Sequence, residues 1–258
     1  MNGIVYVMYH EVERDGRPLC HRDPGYVRYV LSEEAFTSHM EVLARNGQQG
    51  ISVGDALTAS DLAQAVAITF DDGSETDSLV AAPLLARYNF RATFYVVTNW
   101  INRRGWLSSP QLRDLADAGF EIGCHSRSHA FLSDLEISDL KNEIVTGKDE
   151  LEQILGRRIE HFSCPGGRWS QRVSQVAREA GYRSVVTSRT GINYAKGDPY
   201  RLARVAILRG TSPDEFLRTC RGDKLRVRRG QELLLSGAKT LLGNSTYQRL
   251  REVLLKTP

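Results

Sequence analysis

The sequence predicts an α/β fold, a distorted (β/α)7-8 barrel, and three observations predict it. Short unbroken apolar runs alternate with helix-period stretches almost from end to end, the pattern of a parallel sheet covered on both faces. About seven such units fall within roughly 220 residues, which favours a closed or nearly closed barrel over an open sheet. Nearly every polar cluster comes directly after an apolar run, where the loops at the carboxyl ends of parallel strands converge.

Taken in order, residues 3–9 are the first strand, with His10 at its C-terminal end. Ser32 is expected to cap a helix whose first turn carries Glu33 and Glu34, favourable against the helix dipole. Phe36, Met40 and Leu43 form its apolar stripe, and Gly47 stops it. Residues 65–70 are an unbroken apolar strand, residues 77–88 a helix despite Pro83, and residues 92–97 the next strand. Ser109 as cap and Pro110 at the first position open a helix that Gly119 closes. The pattern repeats as a strand over 120–124, a helix over 136–155 ending at Gly156, and a strand over 161–164. A helix over 170–180 ends at Gly181, and strands follow over 183–187 and 202–208. Ser212, Pro213 and Glu215 open another helix with a capping box. Residues 1–222 are read as the barrel domain, and residues 223–258 as an appendage of two helices, over 230–242 and 245–255, packed on it.

At 258 residues the chain is long enough for one large domain with its own core. Its 41% hydrophobic and 25% charged residues exclude a disordered, collagenous or membrane-bundle protein. The net charge of +3 is too small to argue for a nucleic-acid partner. That charge is unevenly spread: residues 223–258 hold eight Lys/Arg against three acids, or +5, and the remainder 26 against 28, or −2. The basic, leucine-bearing tail has two readings, docked helices with a solvated face or peripheral contact with an anionic membrane. No run approaches the roughly 18 apolar residues of a spanning helix. The first residues lack a basic region and a cleavage site, so the chain as written is expected in the cytoplasm. Cys20, Cys124, Cys164 and Cys220 are scattered and expected to be reduced.

Four clusters carry chemistry. Thr-Phe-Asp-Asp-Gly at 69–73 places two adjacent carboxylates at a strand end, tolerable if one binds a cation and the other stays free to take a proton. Asp-Asp-Gly is also a common turn sequence. Two histidines four apart, His125 and His129, can present both imidazoles to one ion, although lone surface pairs are frequent. Two histidines with one carboxylate leave positions open, the arrangement of a hydrolytic metal site. Pro165-Gly166-Gly167 after a strand exposes backbone N–H groups that suit an oxyanion, or is an ordinary turn. Tyr-His-Glu at 9–11 follows the first strand, where His10 has a structural alternative.

Together these residues resemble the polysaccharide deacetylase family, the NodB-homology or carbohydrate esterase family 4 group, over roughly residues 3–220. The resemblance rests on Thr-Phe-Asp-Asp-Gly at 69–73 and His-Ser-x-x-His at 125–129. Tyr-His-Glu-Val at 9–12, Ala92-Thr93-Phe94 and Leu202-Ala203-Arg204 support it. It implies that Asp71 is the general base toward a metal-activated water. Asp72, His125 and His129 would hold a divalent metal, most often zinc, sometimes cobalt, nickel, manganese or iron. The Gly166 N–H takes the oxyanion-donor position, with Pro165, Gly167 and Trp169 as substrate contacts beside it. Trp100 and Trp106 are further aromatics on which a sugar can stack.

The chain departs from the family pattern twice. Ser163 and Cys164 stand before Pro165 where the family has an upstream arginine, and Gly166 replaces a tyrosine, so Arg168 or Arg204 is expected to orient Asp71. The late histidine acid is missing from residues 202–207, which leaves His10 as the candidate to protonate the leaving amine. The implied activity is removal of N-acetyl groups from an N-acetylhexosamine in a polysaccharide or its lipid-linked precursor. Two other readings remain: a deformylase or small-amide hydrolase on the same fold, and a glycan-binding protein without turnover.

Overall fold

All seven apolar runs become strands of one parallel sheet in a computed structural model that describes residues 3–223 and residue 225. In chain order the elements begin with β1 (Val5–Tyr9), β2 (Val12–Glu13), α1 (Pro24–Val27), β3 (Leu31–Ser32) and α2 (Glu33–Arg45). Next come β4 (Gln49–Ile51), α3 (Val53–Thr58), β5 (Ala65–Phe70), α4 (Ala82–Arg87), β6 (Thr93–Val96) and α5 (Ser109–Asp117). The chain continues through β7 (Glu121–Cys124), α6 (Ile137–Lys141), α7 (Gly147–Leu155), β8 (His161–Ser163) and α8 (Gln171–Glu179). It ends with β9 (Ser184–Val186), β10 (Val205–Ala206) and α9 (Pro213–Cys220).

The strands follow the order β10–β1–β5–β6–β7–β8–β9, with β4 paired to the first residues of β5. Closure falls to one short stretch of chain. Leu202 bridges Val186 of β9, and three residues later Val205 and Ala206 pair with Val7 and Met8 of β1. The predicted strand over 202–208 is therefore two residues long, because the chain has to step from one edge of the barrel to the other within it. Arg204 sits at that step.

Alternation along the strands separates two cores. Val5, Val7, Tyr9, Val66, Ile68, Phe70, Phe94 and Val96 face outward under the helices. Tyr6, Ala67, Tyr95, Val186 and Leu202 fill the barrel, and Val53 and Ala56 of α3 close its lower end. Both faces of β5 are buried, which is why it reads as a continuous apolar run.

Local rules account for most helix ends. Ser32 caps α2 by accepting from the Ala35 N–H. The cap of α5 is Ser108, not Ser109: its hydroxyl accepts from Gln111 N–H while the Gln111 side chain accepts from Ser108 N–H. That reciprocal box outweighs the Ser-Pro signal and moves Pro110 to the second position. The helix predicted over 77–88 opens as a π-helical turn, Asp77–Ala81, before α4. Pro83 has no N–H to close the ordinary bond four residues back, so the ladder widens there. Strand β4 and helix α3 were not legible, since Gln-Gly-Ile looks like a turn. Gly50 is nonetheless required there, because a Cβ would lie 2.6 Å from Ile68 Cδ1.

No described helix is long and apolar enough to cross a membrane. The two tail helices expected over 230–242 and 245–255, and with them the appendage as a domain, lie outside the described residues.

Candidate active site

Asp71 leaves the end of β5 pointing into the upper barrel, its N–H bonded to the Tyr9 carbonyl. Arg204 meets it there with a two-pronged pair, Nη1 to Oδ1 and Nη2 to Oδ2, both 2.7 Å. The guanidinium is itself held on every side. Its Nε donates to the Thr187 carbonyl (2.9 Å), Nη2 to Ser163 Oγ (2.8 Å) and Nη1 to Thr69 Oγ1 (3.2 Å). Below it lies the Tyr95 ring, 5.6 Å to the centroid. Ser163 also donates to Asp71 Oδ1 at 3.1 Å. With Arg204 0% and Asp71 3% exposed, this is a fully satisfied buried ion pair, which fixes orientation more than it adds stability. Burial pushes the Asp71 carboxyl up, but the Arg204 charge, with His125 and the Arg204 hydrogen bonds, outweighs it and holds the group ionised well below the usual carboxylate range.

Of the two candidate arginines, Arg204 and not Arg168 pairs with Asp71. Arg168 turns outward, its Nη1 3.5 Å from Asp134 and its guanidinium 4.1 Å above the Phe131 ring. Arg204 stands where β10 meets β1, and only barrel closure brings it to β5.

Asp72 has a φ of 80°, a left-handed conformation that Asp tolerates better than most residues. Gly73 continues the turn with the same φ, and a Cβ there would press on Val96. The turn swings the Asp72 carboxylate toward the loop after β7, and Oδ1 comes 3.4 Å from His125 Nε2 and 3.4 Å from His129 Nε2. The three ligand atoms lie within 4.8 Å of one another. Ligands about 2.1 Å from a tetrahedral ion sit about 3.4 Å apart, which both Asp72–histidine separations match. Two further features fit an ion. Asp72 Oδ1 is buried without a hydrogen-bond partner among the described residues. His125 Nδ1 donates to the Ser163 carbonyl at 2.9 Å, which leaves its Nε2 as the lone pair facing Asp72. Burial pushes His125 down to about 4, keeping it neutral as a ligand must be. For Asp72, the neighbouring histidines overcome burial and hold the carboxylate ionised.

The loop carrying the histidines is clamped from below. Glu143 accepts from the Arg127 and Ser128 N–H groups (3.0 and 2.8 Å) and from Ser128 Oγ (2.6 Å). This supports the left-handed backbone of Ser126 and His129, with φ of 64° and 65°. Gly147 lets α7 approach, since a Cβ there would lie 3.1 Å from Cys124 Sγ. Neither Glu143 nor Ser163 carries a sequence signal for its role. Their partners are distant in the chain. His125→Ala and His129→Ala are each expected to abolish stoichiometric zinc or cobalt binding, measured by metal analysis after dialysis, in protein that still folds.

The remaining expected residues fall around this centre. His10 stacks on Tyr29, with ring centroids 4.8 Å apart, and its Nδ1 is buried without a partner among the described residues. Its charge, when present, acts on both Asp71 and Asp72, which puts it within electrostatic reach of the pair. Gly166 adopts a φ of 58°, and its N–H finds no acceptor among the described residues, whereas the Gly167 N–H is spent on the Cys164 carbonyl. Pro165 is buried. The Trp169 indole N–H donates to the Tyr200 carbonyl at 2.7 Å, and the Arg201 guanidinium lies 4.4 Å from its ring centroid. The aromatic at the metal centre is Trp100, stacked on His129 at 5.2 Å and backed by Trp106 at 4.3 Å. Cys124 and Cys164 are buried thiols and no part of the ligand set.

The polysaccharide deacetylase family model matches residues 59–185, which takes in Asp71, Asp72, His125, His129 and Gly166 and stops before Arg204. Over 191 residues the chain is 28% identical to the putative polysaccharide deacetylase YxkH of Bacillus subtilis, covering 72% of this chain and 68% of that one. It is 34% identical over 124 residues to the peptidoglycan-N-acetylglucosamine deacetylase of Bacillus cereus, 48% of this chain and 56% of the relative. The chain thus spans about two thirds of the first relative's length and about half of the second's. In fold it is similar to the Streptococcus pyogenes deacetylase PplD, solved with acetate (TM-score 0.74, 23% identity, 85% of this chain and 98% of that one). It is likewise similar to IcaB from Ammonifex degensii (TM-score 0.72, 21% identity, 85% and 96%). With the Asp-His-His centre at the carboxyl ends of β5 and β7 and the family match running across it, the chain belongs to the polysaccharide deacetylase family.

Proposed function

We propose that the protein hydrolyses the N-acetyl group of an N-acetylhexosamine within a polysaccharide or its lipid-linked precursor, releasing acetate and a free amine. The observation that carries this is the pairing of the Asp72–His125–His129 triad with a second carboxylate, Asp71, locked beside it and 3.8 Å from His125. A divalent cation in the triad, zinc before cobalt, nickel, manganese or iron, would acidify the attacking water and polarise the acetamide carbonyl. Asp71 takes the proton from that water, and its two oxygens remain oriented by Arg204 throughout. The free Gly166 N–H donates to the oxygen on which negative charge develops. His10 delivers a proton to the departing nitrogen. A neutral amine then leaves as the carbon–nitrogen bond breaks.

Metal-loaded protein is expected to release acetate from N-acetylglucosamine oligomers or lipid-linked N-acetylhexosamines, and to stop when chelated. Formate release from N-formylated sugars or small amides without acetate release would move the assignment to the alternative hydrolase. Sugar binding without any metal-dependent turnover would leave only a lectin-like role. His10→Ala is expected to slow turnover by about 10²-fold, with recovery when small amines or imidazole are added. An unchanged rate removes His10 from the proton transfer.

A further inference from the structure

Phe131 is 43% exposed, two residues beyond the metal ligand His129, and catalysis as derived above makes no use of it. It is not a loose surface side chain. Leu132, fully buried in the outer core, anchors the turn behind it, and the Asp134 N–H closes that turn on the Phe131 carbonyl at 3.0 Å. One ring face is covered by the Arg168 guanidinium at 4.1 Å, which Asp134 holds in place. The ring edge rests on Gly166, where a Cβ would come within 3.1 Å of Cε1. Two residues along the chain from His129, the ring is thus packed against Gly166, the residue given the oxyanion-donor role above. Exposing a rigid apolar ring to water costs free energy that covering its open face would recover.

From this we infer that the open face of Phe131 is a stacking platform for a second pyranose ring, next to the sugar whose acetamide is cleaved. This rests on the deacetylase reading above. The Arg168 charge is compensated by Asp134, so the platform selects by apolar stacking with hydrogen-bonding groups at its edge. Sugars present that combination, C–H groups on the ring face and hydroxyls around the rim. The occupant is therefore an uncharged hexosamine oligomer, and the platform makes the protein a reader of chain length.

Two readouts test it. Binding of β-1,4- and β-1,6-linked N-acetylglucosamine oligomers of one to five sugars to metal-free Asp71→Asn protein is measured by calorimetry, with and without Phe131→Ala. Affinity is expected to rise from one sugar to two or three, and Phe131→Ala to remove that rise, a loss of about fivefold to tenfold on the longer ligands. Phe131→Trp is expected to restore it. Turnover by metal-loaded protein should show the same chain-length dependence in kcat/KM, carried mainly by KM. Equal losses on monosaccharide and oligomer, no loss, or no oligomer binding by either protein overturns the platform. Failure of the deacetylase reading looks different: length-dependent binding that needs Phe131, with no acetate released from any ligand.

Discussion

Asp71→Asn is expected to lower acetate release by about 10²–10⁴-fold, the range a positioned general base contributes, while the protein retains its full complement of metal. The two aspartates are adjacent in sequence, but the backbone assigns them to different partners. Asp71 continues the extended line of β5 and ends on Arg204, with both oxygens taken up by the guanidinium at 2.7 Å. Asp72, in the left-handed turn, carries its Oδ1 away to the two imidazoles. Asn at 71 keeps one oxygen for Arg204 and the same shape, but its amide cannot accept a proton at working pH. Asp72→Asn should do the reverse and weaken metal binding first. The measurement is metal stoichiometry alongside kcat for both variants. Comparable metal loss in the two would mean that Asp71 is a ligand, and the division of labour would be wrong.

Arg204→Ala is expected to be the most destabilising single change near the site. Removing one member of a buried ion pair leaves the other charge uncompensated, at a cost of roughly 3–5 kcal/mol, or about 10 °C in Tm for a domain of this size. The side chain is 0% exposed and also binds Thr69 of β5, Ser163 of β8 and Thr187 just after β9. Arg204→Lys keeps the charge but not the fork, so it should lie between wild type and alanine in Tm. The pH dependence has a definite sign. Lysine keeps the charge but loses the two-pronged hydrogen bonds that also hold the Asp71 carboxyl down, so that carboxyl titrates higher than in the wild type. The acid limb of kcat/KM in Arg204→Lys should therefore move to higher pH. In the wild type the ion pair contributes its full stability above the usual carboxylate range and loses it progressively as pH falls from that range down through the lowered folded-state value. An Arg204→Lys variant with wild-type Tm and an unmoved acid limb would show that Arg204 neither braces the barrel nor orients the base.

The reading of residues 69–73 and 125–129 needed only the chain, since each motif is contiguous and follows its strand directly. The orienting arginine was legible only as a choice between Arg168 and Arg204, because either could approach Asp71 on a linear map. The cap of α5 was displaced by one residue, Ser108 for Ser109, as both serines carry cap chemistry and only the Gln111 partner decides. Of the aromatics named as sugar platforms, Trp169 donates its indole N–H to Tyr200 and Trp100 lies beside His129, a difference that no spacing in the chain foretells.

The sequence by itself determined the alternation of strands and helices, the end of the barrel at which the polar clusters gather, and the Asp72–His125–His129 triad with its adjacent carboxylate. Those are properties of spacings within a few residues, where periodicity and local backbone geometry act directly. Tertiary structure alone decided that Arg204 faces Asp71 across 133 residues, that Ser163 and Glu143 brace Asp71 and the histidine loop, and that Phe131 packs beside Gly166. These depend on which strands become neighbours when the barrel closes, and closure is a property of the whole sheet rather than of any segment in it.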